Sequence, residues 1–174
     1  MQTYGTSGTY YMTQRSNLAG IFTRMVRRGL LAENPVYKTS LKRKVPMLNT
    51  IFTREQLQAV LSFLEGYNSN LYLCALLMYG CFLRPHREIR LLKRRHLNDD
   101  CTTISLSGSE NKSKRIRIVR LPKYVTSELV KHGMHDLPPH AYLVTRDTEG
   151  FNGDYFKTLW TRAKREMIKK KMVE

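Results

Sequence analysis

Acidic residues are scarce in this sequence of 174 residues, and the resulting charge imbalance is its dominant property. Thirty lysines and arginines stand against 14 aspartates and glutamates, which gives a formal net charge of +16. So strong a positive charge favours a polyanionic partner, with nucleic acid as the first candidate and an anionic membrane surface as the second. Because 41% of the residues are apolar, the chain is able to form a core, which argues against a fully disordered protein.

Long hydrophobic runs and a cysteine framework are both missing. No apolar segment approaches the ~20 residues that a helix needs to cross a bilayer, and the N-terminal segment does not resemble a signal peptide. Cys74, Cys81 and Cys101 are odd in number and lack Cys-x-x-Cys spacing, so we expect buried, reduced thiols in a cytoplasmic protein. The histidines between 132 and 140 fit no standard zinc spacing, and we expect neither a metal nor a cofactor.

The stretch from Tyr72 to Pro122 holds the residues with the clearest chemistry. Its first part is apolar all round the helical period, which indicates a buried helix. Arg84-Pro85 follows, and proline suits the first turn of a helix, so the pattern places Arg84 at the start of a second helix that runs to about Arg95. An arginine beside the free backbone donors of a helix start is a suitable phosphate-binding group.

A β-hairpin is predicted after this second helix. Residues 102–106 have the composition of a strand, and residues 108–111 that of a turn. Lys112 and Lys114 then stand at the tip of the hairpin. The second strand is expected to place Ile116, Ile118 and Leu121 on one face and Arg115, Arg117 and Val119 on the other.

Two segments of this stretch resemble the tyrosine-type site-specific recombinases, the phage-integrase family. The segment YGCFLRPHREIRLL is similar to the family's first arginine box, and SGSENKSKRIRIVRLP is similar to its β-hairpin with a mobile catalytic lysine. In the family that lysine lies eight residues before the position that closes the second strand, and Lys112 lies eight before Arg120, so it matches better than Lys114. The family's acidic residue usually lies three positions after the arginine, whereas Glu88 lies four after Arg84.

The resemblance implies a division of roles on a DNA phosphodiester. Arg84 would stabilise negative charge on the non-bridging oxygens, Lys112 would protonate the leaving 5′-oxygen, and Glu88 would orient the arginine. It further implies double-stranded DNA and, at full length, other recombinase protomers as partners, in a bacterial, DNA-associated, cytoplasmic setting. The expected DNA contacts are made by the basic residues Lys38, Lys42, Arg43, Lys44, Arg87, Lys114, Arg115 and Arg117.

The resemblance also predicts the fold and the domain organisation. The expected fold class is α+β, mainly helical, with a small antiparallel sheet built on the hairpin and the segment 142–144 as a further candidate strand. Residues 1–34 would be the C-terminal helix of a helical core-binding domain, and residues 35–50 a basic linker. Residues 51–174 would be the N-terminal part of an incomplete tyrosine-recombinase catalytic domain.

The remaining boxes of the family do not occur in the sequence. None of the five histidines is followed by arginine in a His-x-x-Arg pattern, and no tyrosine lies in the family's nucleophile context. We therefore expect a truncated recombinase that does not cleave DNA by itself. Two alternatives remain open, a non-catalytic DNA-binding regulator derived from a recombinase and a basic RNA-binding protein. Steeply salt-dependent binding to duplex DNA would support either recombinase-derived reading, and preference for A-form RNA would support the other.

Overall fold

The computed structural model describes residues 8–42, 51–111 and 114–173, and the chain divides into two units, residues 1–51 and 52–174. The first unit contains helix α1, Gly8–Arg27, and a 3₁₀ turn at Pro35–Lys38. No residue of α1 is fully buried; Phe22, Met25 and Val26 are half-buried, whereas Leu18 and Ile21 are exposed. That the first unit is the end of a core-binding domain stays a prediction.

Asn34 connects the two elements of the first unit. Its carboxamide oxygen accepts a hydrogen bond from the Val36 nitrogen, which caps the 3₁₀ turn. Its nitrogen donates to the Ala19 carbonyl and to the Thr23 hydroxyl, both at 2.9 Å. The segment predicted as a basic linker, residues 35–50, therefore begins with a folded turn.

Two helices form the centre of the second unit. Helix α2, Arg54–Tyr67, begins with a capping box, in which Thr53 and Gln56 exchange side-chain and backbone hydrogen bonds. Helix α3, Ser69–Cys81, is apolar on all sides and buries six of its residues in the core. The sequence prediction of a buried helix in this segment is confirmed.

The predicted second helix from Pro85 to Arg95 is wrong in its length. One wide turn, Pro85–Ile89, is followed by a separate 3₁₀ turn, Arg94–His96. The helix does not continue because the Arg94 nitrogen donates to the Ala141 carbonyl at 2.9 Å and the Arg95 nitrogen to the Pro139 carbonyl at 3.0 Å. Bonds to a distant loop thus replace the bonds that a continuous helix would make.

A two-stranded antiparallel sheet follows, as predicted. Strand β1, Thr103–Leu106, pairs with strand β2, Arg117–Arg120, so that Leu106 lies opposite Arg117. The candidate strand at 142–144 is wrong, because Tyr142 makes a single bridge to Lys93 and its nitrogen turns back to the Asp147 carbonyl. The fold class, mainly helical α+β with a small antiparallel sheet, is confirmed.

Two further helices complete the second unit, α4 at Lys123–Lys131 and α5 at Tyr155–Lys169. Helix α5 is followed by Lys171 in the left-handed conformation, with φ of 56°. The Met172 nitrogen then donates to the Met167 carbonyl at 2.9 Å, which closes the helix. In the described ranges, no helix combines the length and apolar character needed to cross a membrane.

Candidate functional site

Arg84 lies between the end of the buried helix α3 and the wide turn Pro85–Ile89. Phe82 adopts a left-handed conformation, with φ of 53°, and ends α3. Leu83 is buried and anchors the connection, whereas the side chain of Arg84 is 56% exposed. Arg84 is the N-cap residue of the turn Pro85–Ile89, which agrees with the sequence prediction that it stands at a helix start. The backbone of Arg84 is therefore held in place, and its side chain remains accessible.

Glu88 reaches back to Arg84 although it lies one position further along than the family's spacing. The turn is closed by bonds from the Ile89 nitrogen to the Arg84 carbonyl and from the Arg90 nitrogen to the Pro85 carbonyl, five residues apart. Such a π-type turn contains one extra residue. Glu88 consequently accepts from the Arg84 backbone nitrogen at 3.0 Å and from its Nη1 at 3.3 Å. The contact is present, and the orienting role remains a prediction.

Arg117 approaches the same carboxylate from the hairpin. Its Nη1 donates to Glu88 Oε2 at 3.3 Å, and its Nη2 donates to the carbonyls of Cys81 at 3.0 Å and Phe82 at 3.2 Å. The Glu88 side chain is only 1% exposed. A buried carboxylate thus joins the arginine turn to the hairpin.

The predicted faces of strand β2 are wrong. Ile116 and Ile118 are 81% and 69% exposed, whereas Arg117 and Val119 face the protein and share that face with buried Leu121. The arginine is directed inward because Glu88 and the carbonyl end of α3 offer it acceptors there. Sequence reasoning missed this, since those acceptors come from a distant part of the chain.

The connection between the strands, residues 107–116, is closed by a buried asparagine. Asn111 is 3% exposed, and its side-chain nitrogen donates to the Ser107 and Arg115 carbonyls, both at 2.7 Å. Gly108 allows the two sides to approach, because a Cβ there would lie 2.6 Å from the Lys114 carbonyl oxygen. The turn composition predicted a loop here but did not assign these two residues their roles.

Glu110 ties the start of this connection to the 3₁₀ turn Arg94–His96. It accepts from the Ser107 nitrogen at 2.8 Å and the Ser107 hydroxyl at 2.7 Å, and lies 2.9 Å from His96 Nε2. His96 Nδ1 accepts from the Lys93 nitrogen, so Nε2 carries the proton and donates to Glu110. Burial raises the pKa of Glu110, but the hydrogen bonds from Ser107 and His96 lower it to about 2. The carboxylate is therefore ionised at neutral pH.

The arginine turn and the hairpin border one open cleft of about 690 Å³. Its lining includes two cations, Arg87 from the turn and Lys114 from the hairpin, together with Gly108, Ser109 and Asn111. Both cations are exposed, and none of the described residues that line the cleft is acidic. Lys112, the predicted proton donor, lies outside the described residues. Its described neighbours in sequence, Asn111 and Lys114, both line the cleft.

The other predicted DNA-contacting residues are distributed over both units. Arg115 is exposed in the hairpin connection. In the first unit, Lys38 forms an ion pair with Glu33, and the Lys42 ammonium lies 5.0 Å from the centre of the Tyr11 ring. Arg43 and Lys44 lie outside the described residues.

The cysteines are buried, as predicted, and are poor nucleophiles. Burial raises the pKa of Cys74 to about 12. Burial also raises the pKa of Cys81, and the Arg117 charge lowers it only in part, to about 11. Burial raises the pKa of Cys101 as well. Because only the thiolate is a strong nucleophile, these side chains are inert at neutral pH.

Comparison with known proteins places the fold. No family model matches the sequence, and no curated protein matches it significantly. The structure of XerA recombinase aligns with a TM-score of 0.51 and 14% identity over 87% of this chain and 53% of that one. The integrase from mycobacterium phage Brujita aligns with a TM-score of 0.50 and 16% identity over 91% of this chain and 53% of that one.

The chain thus spans about half the length of each of these proteins. At such low identity the likeness concerns the fold and carries no residue-level assignment. The chain has a tyrosine recombinase/integrase fold.

Proposed function

We propose that this chain binds duplex DNA in the cleft between the arginine turn and the hairpin. In the complete protein it would supply the Arg84 and Lys112 part of a site that cuts and rejoins DNA through a phosphotyrosine intermediate. One observation carries the proposal: the Glu88 carboxylate lies 3.3 Å from both the Arg84 and the Arg117 guanidinium. The two motifs that resemble the recombinase family therefore meet on one side of the second unit.

Arg84 has the properties that phosphate stabilisation requires. A guanidinium binds two oxygens of a phosphate in a fixed geometry, and it does so best when its orientation is set before the ligand arrives. Glu88 holds the backbone and one nitrogen of Arg84, while more than half of the side chain stays exposed. The group is thus oriented without being covered.

Lys112 is the proposed general acid for the leaving 5′-oxygen. The described residues on either side of the gap, Asn111 and Lys114, line the cleft next to Arg87. Lys112 is proposed for this role from its place in the sequence between these two residues. No residue of this chain is assigned to the family's second arginine, its histidine or its tyrosine.

The remaining basic residues are proposed as contacts to the DNA backbone. The net charge of +16 favours such contacts in general. Arg87, Lys114 and Arg115 are exposed around the cleft. Lys38, Lys42, Arg43 and Lys44 would follow the backbone beside the linker, and other protomers would join on the DNA at full length.

The test compares binding of the full chain to a DNA duplex and to an RNA duplex of matched length, by fluorescence anisotropy at fixed salt. We expect tighter binding to DNA, and about tenfold weaker binding by Arg84→Ala, the loss typical of one charge-assisted contact. The control is Lys131→Ala, because Lys131 is already paired with Glu65 and Glu128 and should leave the affinity unchanged. Preference for RNA, or equal losses in both variants, would contradict the proposal.

A second assay separates binding from chemistry. Incubation of the chain with a nicked suicide DNA duplex should give no covalent adduct on a denaturing gel, since none of its tyrosines matches the family's nucleophile context. Covalent product from this chain would show that it carries a nucleophile that its sequence pattern does not indicate.

A further inference from the structure

The guanidinium of Arg117 has few hydrogen-bond donors left for a ligand. The Arg117 side chain is two-thirds buried, with 32% exposed. Three acceptors occupy its two terminal nitrogens, namely Glu88 Oε2 and the carbonyls of Cys81 and Phe82. The sequence predicted that Arg117 contacts DNA, but both of its terminal nitrogens donate hydrogen bonds to the protein.

The two carbonyls belong to the end of helix α3. The last carbonyls of a helix lack partners within the helix and carry partial negative charge from the helix dipole. Arg117 satisfies two of them and neutralises that end. The Arg117 guanidinium thus fixes strand β2 to the end of α3, next to Arg84.

Glu88 lies between the two arginines. Its Oε1 accepts from Arg84 Nη1, and its Oε2 accepts from the Arg84 backbone nitrogen and from Arg117 Nη1. A carboxylate that is 1% exposed holds a unique position only if its charge is paired and its lone pairs are used. Arg117 provides the second positive charge that pairs with Glu88, in addition to that of Arg84.

We infer that Arg117 is a positioning residue for Arg84, acting through the carboxylate of Glu88, and that it also fixes the hairpin to the arginine turn. The inference rests on the proposed role of Arg84 as the phosphate-binding group. It assigns to Arg117 a task different from direct contact with DNA. Lysine cannot replace it, because one ammonium on a flexible stem does not reproduce a planar fork directed at three acceptors.

The first measurement reads the orientation of Arg84 without any ligand. In protein labelled with ¹⁵N-arginine, a held guanidinium gives distinct signals for its two terminal nitrogens, and a freely rotating one gives an average. The Arg84 signals are assigned by their absence from Arg84→Lys. We expect distinct signals in the wild type and in the matched control Arg120→Lys, which changes an exposed residue of the same strand. We expect averaged signals in Arg117→Lys.

Averaged Arg84 signals in the wild type, or distinct signals in Arg117→Lys, would overturn the inference. Folding of each variant is checked by far-UV circular dichroism. If Arg117→Lys does not fold, Arg117→Gln is used instead, since its amide still donates to the carbonyls of α3 while it removes the charge beside Glu88.

The second measurement separates positioning from direct contact in DNA binding. Arg117→Gln should weaken binding of the full chain to duplex DNA about fivefold to tenfold, and should cause no further loss in the Arg84→Ala background. If Arg117 contacts a phosphate itself, the slope of log K against log salt is smaller in the double variant than in Arg84→Ala, by about 0.9. That result would overturn the inference. A wild-type chain that does not bind DNA would refute the proposed function alone, and the ¹⁵N spectra would still decide the positioning role.

Discussion

Glu88 accepts a hydrogen bond from the backbone nitrogen of the N-cap residue Arg84, although Glu88 is the fourth residue of the turn. In a capping box the third residue makes this contact. The Glu88 carboxylate accepts from the Arg84 backbone nitrogen at 3.0 Å because the turn Pro85–Ile89 has bonds that span five residues. The widened turn absorbs one residue and returns Glu88 to the N-cap. A departure from the family's spacing is thereby compensated by local geometry.

Removing the charge of Glu88 should destabilise the second unit. Glu88→Gln keeps the shape but leaves two guanidinium groups beside a neutral side chain. We expect a loss of about 2–3 kcal/mol, below the value for a fully enclosed pair because Arg84 remains exposed to water. Urea unfolding measures it. Glu149→Gln changes an exposed glutamate and serves as the control. Equal stability of the two variants would show that the Glu88 contacts contribute nothing.

The hairpin connection should not tolerate a side chain at Gly108. In Gly108→Ala the new Cβ meets the Lys114 carbonyl at 2.6 Å, so the backbone must move. We expect a loss of about 1–3 kcal/mol and weaker DNA binding, because Lys114 is displaced from the cleft. Gly153→Ala, which meets nothing within 4 Å, should change stability by less than about 0.5 kcal/mol. Matching thermal midpoints for the two variants would contradict the described approach of the chain at this position.

Acid should weaken the contact between Glu110 and His96. The folded pKa of Glu110, about 2, lies below the 4.5 of an unperturbed glutamate. Its contribution to stability is therefore complete above about pH 4.5, and it is lost as the pH falls towards 2, where the folded form also takes up a proton. The stability difference between wild type and Glu110→Gln should shrink from pH 7 to pH 3 in urea unfolding. A difference between wild type and Glu110→Gln that stays constant from pH 7 to pH 3 would refute this linkage.

Lys112 should act on the chemical step rather than on binding. In a version extended to include the family's remaining boxes, Lys112→Ala should slow cleavage and leave DNA affinity nearly intact, whereas Arg84→Ala should impair both. A substrate with sulfur in place of the leaving 5′-oxygen needs no proton donor, because a thiolate is a good leaving group. Such a substrate should restore cleavage by Lys112→Ala but not by Arg84→Ala. Failure of this rescue would argue against the proton-donor role.

Local sequence signals were sufficient for the fold class and for the position of Arg84. Apolar residues all round the helical period indicated the burial of α3, and Arg84-Pro85 indicated a helix start. Each of these features depends on neighbours in the chain, which is why the sequence alone predicted them.

Features that depend on distant partners were not predictable in this way. Arg117 has an inward direction because Glu88 and the end of α3 provide acceptors, and a period of two along the strand does not reveal them. The helix after Pro85 stops because the nitrogens of Arg94 and Arg95 donate to a loop far along the chain. The contact between buried His96 and half-buried Glu110, 14 residues apart, was missed for the same reason.

The most direct test of the central claim, that the arginine turn and the hairpin bind one stretch of DNA backbone, is the salt dependence of duplex binding by the full chain. The logarithm of the association constant is measured against the logarithm of salt concentration for wild type, Arg84→Ala, Lys114→Ala and the double variant. We expect each single change to reduce the slope by about 0.9 and the double change by about twice that, with Lys131→Ala unchanged. Slopes that are the same for the wild type and all of these variants would contradict the claim.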